Sequence, residues 1–466
     1  MICKEKIYKQ LVSLLLGVVF AILLSGCDKI VEEPVPTIEL YSGYSVQLTS
    51  LSNNVTWESD NPSVATVSST GLVTAIKAGK AVIYTYSSKE KQEVACYLEV
   101  LPKRNILFYI GADESLINTD ALTKIRKIRL GWQPGKGEMI IYIDRRNNGS
   151  CLLRINDIKD GDGYFGLDTI QTYGVENSAD PLVLRRVINT MNQNYPADSY
   201  GMIFFSHGSG WLPEGYLNHP RSLVIDYDES GTKREMEYYD FASAIPDNQF
   251  DFIILEACLM SDVMTMYELR KKTEYILASS AEIVSPGFEY IYEKEIMRLY
   301  EVDNQIDAII TGFAQSYYNY VIMFNENSYM CSATLSLIKM NEMENMASAT
   351  RTALQGIEVN ETTLNVESIQ SFDRPNALIS SGQKKSRYFD LAHVIENLVP
   401  DARYKAFSSQ LEKTIIWKAS TNRFMWGEGG FYINHHCGLT TYIAQDAFPG
   451  LNSAYKSSSW HKAVYQ

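Results

Sequence analysis

Clustered basic residues are what this 466-residue chain most plainly lacks: 42 Lys+Arg stand against 55 Asp+Glu, a formal net charge of −13, with no concentrated basic patch. Nucleic-acid binding depends on neutralising phosphates, so this balance argues against such a partner. Cysteine is also scarce, seven in all. Setting aside Cys3 and Cys27 leaves Cys96, Cys151, Cys258, Cys331 and Cys437, too few and too scattered for a disulfide scaffold. Internal repeats and low-complexity tracts are missing, and 45% hydrophobic residues with 12% aromatics exclude a largely disordered chain. After the first 27 residues, no stretch reaches the roughly 18 consecutive apolar residues that suggest a membrane span.

What is present begins with an export pattern. Lys4, Lys6 and Lys9 precede an apolar run from Leu11 to Leu24, too short for a bilayer crossing of about 20 residues. The run ends in Leu24-Ser25-Gly26-Cys27, which resembles the bacterial lipobox, at which cleavage leaves the cysteine as a lipid-bearing N-terminus. The resemblance implies a signal over residues 1–27, lipidation at Cys27, and a mature chain anchored to the cell envelope at its periplasmic face or at the cell surface. A plain signal peptide followed by an incidental cysteine is the alternative.

Residues 28–36 read as an acidic, Pro-containing tether. Residues 37–101 show short alternating strands broken by turns, among them Val64–Val67, Leu72–Ala75, Ala81–Tyr84 and Ala95–Val100, a small β-sandwich. Trp57-Glu58-Ser59, Asn61-Pro62-Ser63-Val64-Ala65 and Gly71-Leu72-Val73-Thr74-Ala75 resemble the bacterial Ig-like group 2 domain, a spacer or adhesive module. From 104 to 466 the pattern changes. Apolar strands at Asn105–Ile110, Glu138–Ile143, Tyr200–Phe205, Phe250–Leu255 and Tyr275–Ala278 alternate with amphipathic helices, including Leu116–Leu130, Leu182–Asn192, Tyr239–Ile245 and Leu259–Arg270. That order predicts an α/β fold, a mostly parallel sheet with helices on both faces, in which chemistry sits at the carboxyl ends of the strands.

Two polar segments follow the two best buried strands: Ser206-His207-Gly208-Ser209-Gly210-Trp211, and Glu256-Ala257-Cys258. A cysteine at a strand end before a helix, near an imidazolium, has its nucleophilic thiolate favoured. Glycine after the histidine allows close backbone approach and N–H donors to a developing oxyanion. Alone, such a cysteine is usually a small core residue and such a histidine a satisfied structural one. Together at adjacent strand ends they point to a Cys/His dyad. A lipase-type oxyanion loop would need a Gly-x-Ser-x-Gly elbow, which is absent.

With Gly111-Ala112-Asp113, Tyr195-Pro196-Ala197-Asp198, Ala257-Cys258-Leu259-Met260, Ala278-Ser279-Ser280-Ala281-Glu282-Ile283 and Cys437-Gly438-Leu439, these motifs resemble the clostripain family of caspase-fold cysteine peptidases over about 104–466. His207 and Cys258 are 51 residues apart, close to the roughly 50 of caspases. The resemblance implies that Cys258 attacks a peptide carbonyl, that His207 protonates the leaving amine, and that the backbone N–H groups of Gly208 and Cys258 hold the oxyanion. It also implies cleavage after Arg or Lys and, often, self-cleavage between His and Cys, for which Lys233-Arg234 is the candidate. The family usually has Asp two residues before the nucleophile; here Glu256 is the first candidate for the basic-residue pocket and Glu282 the second. A protein or peptide substrate follows; no cofactor is expected, and calcium, which some relatives use, is the one weak candidate. A binding lipoprotein with a silent peptidase scaffold is the rival reading.

Two further motifs carry less. Asp160-Gly161-Asp162-Gly163 hints at a calcium loop, yet its ligand pattern is incomplete and a plain turn explains it. His435-His436-Cys437 lacks the ligand spacing of a zinc site, so no metal site is expected there. The N-terminal reading yields a direct test: Cys27→Ser is expected to abolish fatty-acid labelling and to release the protein from the membrane fraction, because the tether holds no second apolar anchor. Membrane association retained in that variant would show that something other than a lipid holds the chain.

Overall fold

A computed structural model describes residues 35–50, 55–86, 92–111, 115–145, 149–216, 223–227, 233–302, 305–374 and 385–466. The signal, Cys27, most of the tether and Asp113 lie outside the described residues.

The N-terminal part is a sandwich of two sheets. Its strands are β1 (Thr37–Tyr41), β2 (Ser45–Gln47), β3 (Thr56–Ser59), β4 (Ala65–Val67), β5 (Leu72–Ala75), β6 (Gly79–Tyr86) and β7 (Gln92–Leu101). One sheet runs β1-β7-β6-β3 and the other β2-β5-β4. Period-two alternation supplies the core, where Ala65, Val73, Ala81, Ile83, Leu98 and Val100 are buried. β1, which joins β7 in parallel, was not among the expected strands; its residues are exposed or half-buried and carry little pattern. The Asp198 carboxylate joins the sandwich to the larger domain, accepting hydrogen bonds from the Ser42 hydroxyl and, at 2.9 Å, from the Lys103 N–H.

The larger domain is built on nine strands: β8 (Arg104–Gly111), β9 (Met139–Asp144), β10 (Ser150–Lys159), β11 (Phe165–Gly174), β12 (Ser199–Phe205), β15 (Phe250–Glu256), β16 (Thr273–Ser279), β17 (Thr334–Lys339) and β19 (Ile415–Ser420). A hairpin, β13 (Ile225–Tyr227) and β14 (Lys233–Glu235), lies outside this sheet, as does the short β18 (Phe389–Asp390). The sheet order is β11-β10-β9-β8-β12-β15-β16-β17-β19. Its centre, β9 through β16, is parallel, and each edge is finished by two antiparallel strands. The parallel centre is what the continuous apolar runs demanded. The edge strands escaped the sequence because their apolar runs are broken, by buried hydroxyls in β17 (Thr334, Ser336) and by solvent exposure along β10, β11 and β19.

Alternation along the central strands fills two cores. Leu107, Tyr109, Phe204, Ile253 and Leu255 face one, which includes helix α2 (Pro181–Asn194), helix α3 (Tyr238–Ala244) and helix α4 (Val263–Leu269). Ile106, Phe108, Phe205, Phe252 and Ile254 face the other, with helix α1 (Ser115–Gly131), helix α5 (Glu289–Glu295) and helix α6 (Ile306–Val321). Register aligns the carboxyl ends: Ile110, Phe205 and Glu256 stand side by side on β8, β12 and β15. The segments that follow Phe205 and Glu256 therefore emerge together, which is the topological setting for a site.

Candidate active site

His207 and Cys258 each stand two residues beyond the paired ends of adjacent parallel strands, Phe205 and Glu256. The two segments touch through their backbones. A Cβ placed on Gly208 would lie 2.6 Å from the Cys258 carbonyl oxygen and 2.9 Å from its nitrogen, a separation that real side chains do not tolerate. Glycine is therefore required at position 208 by close approach, and it sets the His207-Gly208 backbone directly against that of Cys258. The next glycine, Gly210, adopts φ +52° and packs on Leu259 and Asp262.

Cys258 does not open a helix. α4 begins only at Val263, capped by Asp262, whose Oδ1 accepts from the Thr265 N–H at 2.9 Å; the expected helix from Leu259 is shortened by a loop. Any support for the thiolate must come from the loop and its neighbours, since the helix terminus is a turn away. Leu259, immediately after the cysteine, has φ +61°, a left-handed conformation that costs a non-glycine residue roughly 1–2 kcal/mol. Neighbouring bonds overdetermine that conformation. Leu259 N–H donates to Ala281 O at 2.9 Å, Ser261 N–H to Ser279 O at 3.0 Å, and the two hydroxyls Ser261 and Ser280 lie 2.8 Å apart. The Ile283 N–H, 3.4 Å from Cys258 Sγ, completes the link between the cysteine loop and the segment after β16.

Burial separates the five cysteines outside the signal. Cys96, Cys151, Cys331 and Cys437 are buried, and desolvation raises the pKa of each thiol, that of Cys96 to about 11. Cys258 alone among them is half-buried. A nucleophile needs thiolate character and access, so the four others are disqualified on both counts.

Glu256 corrects an expectation. Alternation on β15 sends it to the same face as Phe252 and Ile254, beneath the cysteine rather than toward a substrate, and it is 2% exposed. Both its oxygens are taken. Oε1 accepts from Lys124 Nζ at 2.7 Å and from the Phe288 N–H at 2.6 Å, while Oε2 accepts from the Tyr292 hydroxyl at 2.5 Å. Lys124 also donates to Pro286 O and lies 4.5 Å from the centre of the Phe205 ring. Burial, then the Glu256 charge, raises the Tyr292 pKa, which keeps that hydroxyl a donor. The glutamate is thus neutralised from within the fold. Lys124 was legible as an oddity, because it shares the buried stripe of Ala121, Ile125 and Ile128 on α1, where a lysine needs an internal partner.

Glu282 lies one residue from Ile283 and so at the edge of the cysteine loop. Its carboxylate pairs with Arg374 through both oxygens, Nη2 to Oε2 at 2.6 Å and Nε to Oε1 at 3.3 Å. Asp262 adds an unforeseen acid: it is fully buried, its Oδ2 has no hydrogen-bond partner among the described residues, and burial raises its pKa to about 7.

The remaining candidates lie elsewhere. Lys233 and Arg234, the self-cleavage candidate, stand in the β13–β14 hairpin, opposite Tyr227 and Asp226 in a paired ladder, with Asp226 and Glu235 buried and Arg234 exposed. Asp160 spends one oxygen on the N–H groups of Asp162 and Tyr164 and the other on Arg129, the bonding of a turn. His435 stacks on His393 at 3.7 Å, Ser280 lies 3.3 Å from His436 Nε2, and Cys437 donates to Leu439 O, so the three side chains take separate partners.

A model of the clostripain family matches residues 108–453, and a model of the bacterial Ig-like domain (group 2) matches residues 40–96. Clostripain of Hathewaya histolytica is 26% identical over 216 residues, 40% of this chain and 41% of that protein, so the match spans less than half of the curated relative. An inactive zymogen C11 protease from Parabacteroides distasonis is 28% identical, with a TM-score of 0.65, over 78% of this chain and 99% of that one. A secreted C11 cysteine protease from Bacteroides thetaiotaomicron, solved with an irreversible peptide inhibitor, is 26% identical with a TM-score of 0.64 over the same shares.

The buried ion pair yields a stability test. Lys124→Met leaves Glu256 charged and uncompensated, and is expected to lower unfolding free energy by about 3–5 kcal/mol, whereas Lys124→Met with Glu256→Gln should recover most of that loss. Chemical denaturation of the three proteins checks it. A single variant as stable as wild type would mean that the pair contributes nothing.

Proposed function

The chain belongs to the clostripain family, and from that premise we propose that it is a cysteine endopeptidase that hydrolyses peptide bonds after basic residues. The observation that carries this reading is the packing of Gly208 on Cys258, which sets a histidine segment against the one half-buried cysteine outside the signal. In the reaction the Cys258 thiolate adds to the scissile carbonyl, forming a C–S bond as the carbonyl π pair moves to oxygen. The N–H groups of Gly208 and Cys258 hold that oxyanion. Collapse expels the amine, which takes a proton from the His207 imidazolium, and leaves a thioester. Water, deprotonated by His207, then attacks the thioester and returns the thiolate.

Glu282 supports the basic-residue preference better than Glu256, since the latter is closed off by Lys124. The same reading includes a signal over 1–27, a lipid at Cys27, and an Ig-like module over 37–101 that stands between membrane and enzyme. No helix among the described residues is long and apolar enough to cross a membrane. It also includes self-cleavage after Lys233 or Arg234, for which the β13–β14 ladder must first open.

Two measurements test this. With fluorogenic peptides carrying Arg or Lys before the scissile bond, Cys258→Ala and His207→Ala are each expected to lower turnover by at least about 10³, because nucleophile and proton donor act as one unit. Turnover surviving in Cys258→Ala would sink the dyad, whereas a wild type without turnover would return the chain to the binding-lipoprotein reading. Mass spectrometry of purified wild type should show two fragments with a new N-terminus at Arg234 or Glu235, and one intact chain in Cys258→Ala. An intact, active wild type would remove self-cleavage from the account.

A further inference from the structure

Glu256 and Glu282, two acids beside the cysteine loop, are both paired with cations of the chain itself, and the two pairs differ in kind. The Lys124–Glu256 pair is sealed: the two side chains are 0% and 1% exposed, and the lysine has a carboxylate, a carbonyl and an aromatic ring around it. The Arg374–Glu282 pair sits at the margin, with side chains 11% and 8% exposed. Beyond the carboxylate, Arg374 gains one further hydrogen bond, from Nη1 to the carbonyl of Glu428 at 2.7 Å in the exposed turn that follows Met425.

We propose that Arg374 is a specificity-determining residue: its guanidinium occupies the Glu282 carboxylate in the resting enzyme, and a substrate is accepted when its own basic side chain takes that place. The inference rests on the basic-residue reading above. Three observations carry it. Glu282 adjoins Ile283, whose N–H reaches Cys258 Sγ, so a cation bound there lies close to the reacting thiol. Arg374 engages both carboxylate oxygens, the geometry by which a guanidinium rather than an ammonium is recognised. Glu256, the other acid, is unavailable for exchange.

Exchange of one cation for another leaves the glutamate paired both before and after substrate binds. What the resident arginine gives up is its two bonds to the carboxylate, which the substrate replaces, and the one carbonyl contact to Glu428, as its head moves from the site into water. A substrate with a neutral side chain gains no ion pair in return, and leaves Arg374 where it is. Resident occupancy also lowers the apparent affinity for basic substrates by the fraction of molecules in which the carboxylate is open. Arginine at the substrate position should be favoured over lysine, because only a guanidinium replaces both bonds.

The test compares wild type with Arg374→Ala and with the double variant Arg374→Ala/Glu282→Gln, using the full chain and peptides with Arg or norleucine before the scissile bond. Removing the resident cation should lower KM for the Arg peptide about tenfold and raise the Arg-over-norleucine preference by a similar factor. Agmatine, a small guanidinium competitor, should inhibit Arg374→Ala about tenfold more tightly, and both gains should vanish in the double variant. If wild type cleaves after Arg but Arg374→Ala shows an unchanged or higher KM and unchanged agmatine inhibition, the inference is overturned and the basic-residue reading stands. If wild type ignores Arg and Lys peptides while it hydrolyses peptides of another class, the reading itself fails and takes the inference with it. Should Arg374→Ala fail to fold, Arg374→Lys, which keeps charge but loses the two-point contact, is expected to lower KM partway, and an unmoved KM there overturns the inference.

Discussion

The backbone of Gly208 lying against that of Cys258 is the contact on which the site depends. It exists because β12 and β15 are parallel neighbours in strict register, so that the chain leaves both strands at one level of the sheet. It can form only where residue 208 has no side chain, since even a methyl group would overlap the Cys258 backbone. The left-handed Leu259 belongs to the same constraint. It turns the chain away from β15 before α4 begins, and the bonds to Ala281 and Ser279 hold that turn in place. Packing, more than the electrostatics of a helix terminus, presents the sulfur.

Electrostatics enters one layer down and one residue aside. Glu256 and Glu282 flank the cysteine loop, and each carries an internal cation, but the consequences diverge with burial. A sealed pair such as Lys124–Glu256 couples α1 to the strand end below the nucleophile, so that breaking either partner strands a charge in the core. The Arg374–Glu282 pair lies nearer the margin, its side chains 11% and 8% exposed. Glu256, two residues before Cys258, is thereby part of the floor under the cysteine loop.

Much of this was legible in the sequence, for reasons that can be named. Continuous apolar runs at Asn105–Ile110, Tyr200–Phe205 and Phe250–Leu255 specify buried parallel strands, and position at their carboxyl ends singles out His207, Gly208 and Cys258. Edge strands were hidden because one of their faces meets solvent or carries hydroxyls. The start of α4 was misplaced because Leu259-Met260 reads as helical apolar material, while the conformation of Leu259 is set by the segment after β16, far along the chain. The partners of Glu256 and Glu282 are 132 and 92 residues away in sequence, and no local spacing announces them. Only the lysine within an apolar stripe of α1 left a trace.

The central claim is that Cys258 is the one thiol built to react with a peptide carbonyl. Treatment of the native full-length chain with a peptidyl electrophile carrying Arg next to its reactive group, followed by intact mass measurement and peptide mapping, tests it most directly. The account requires one adduct per molecule, on Cys258, with Cys96, Cys151, Cys331 and Cys437 unmodified. An adduct on any of those four in place of Cys258, or hydrolysis of basic peptides by a protein whose Cys258 stays unlabelled, would contradict it.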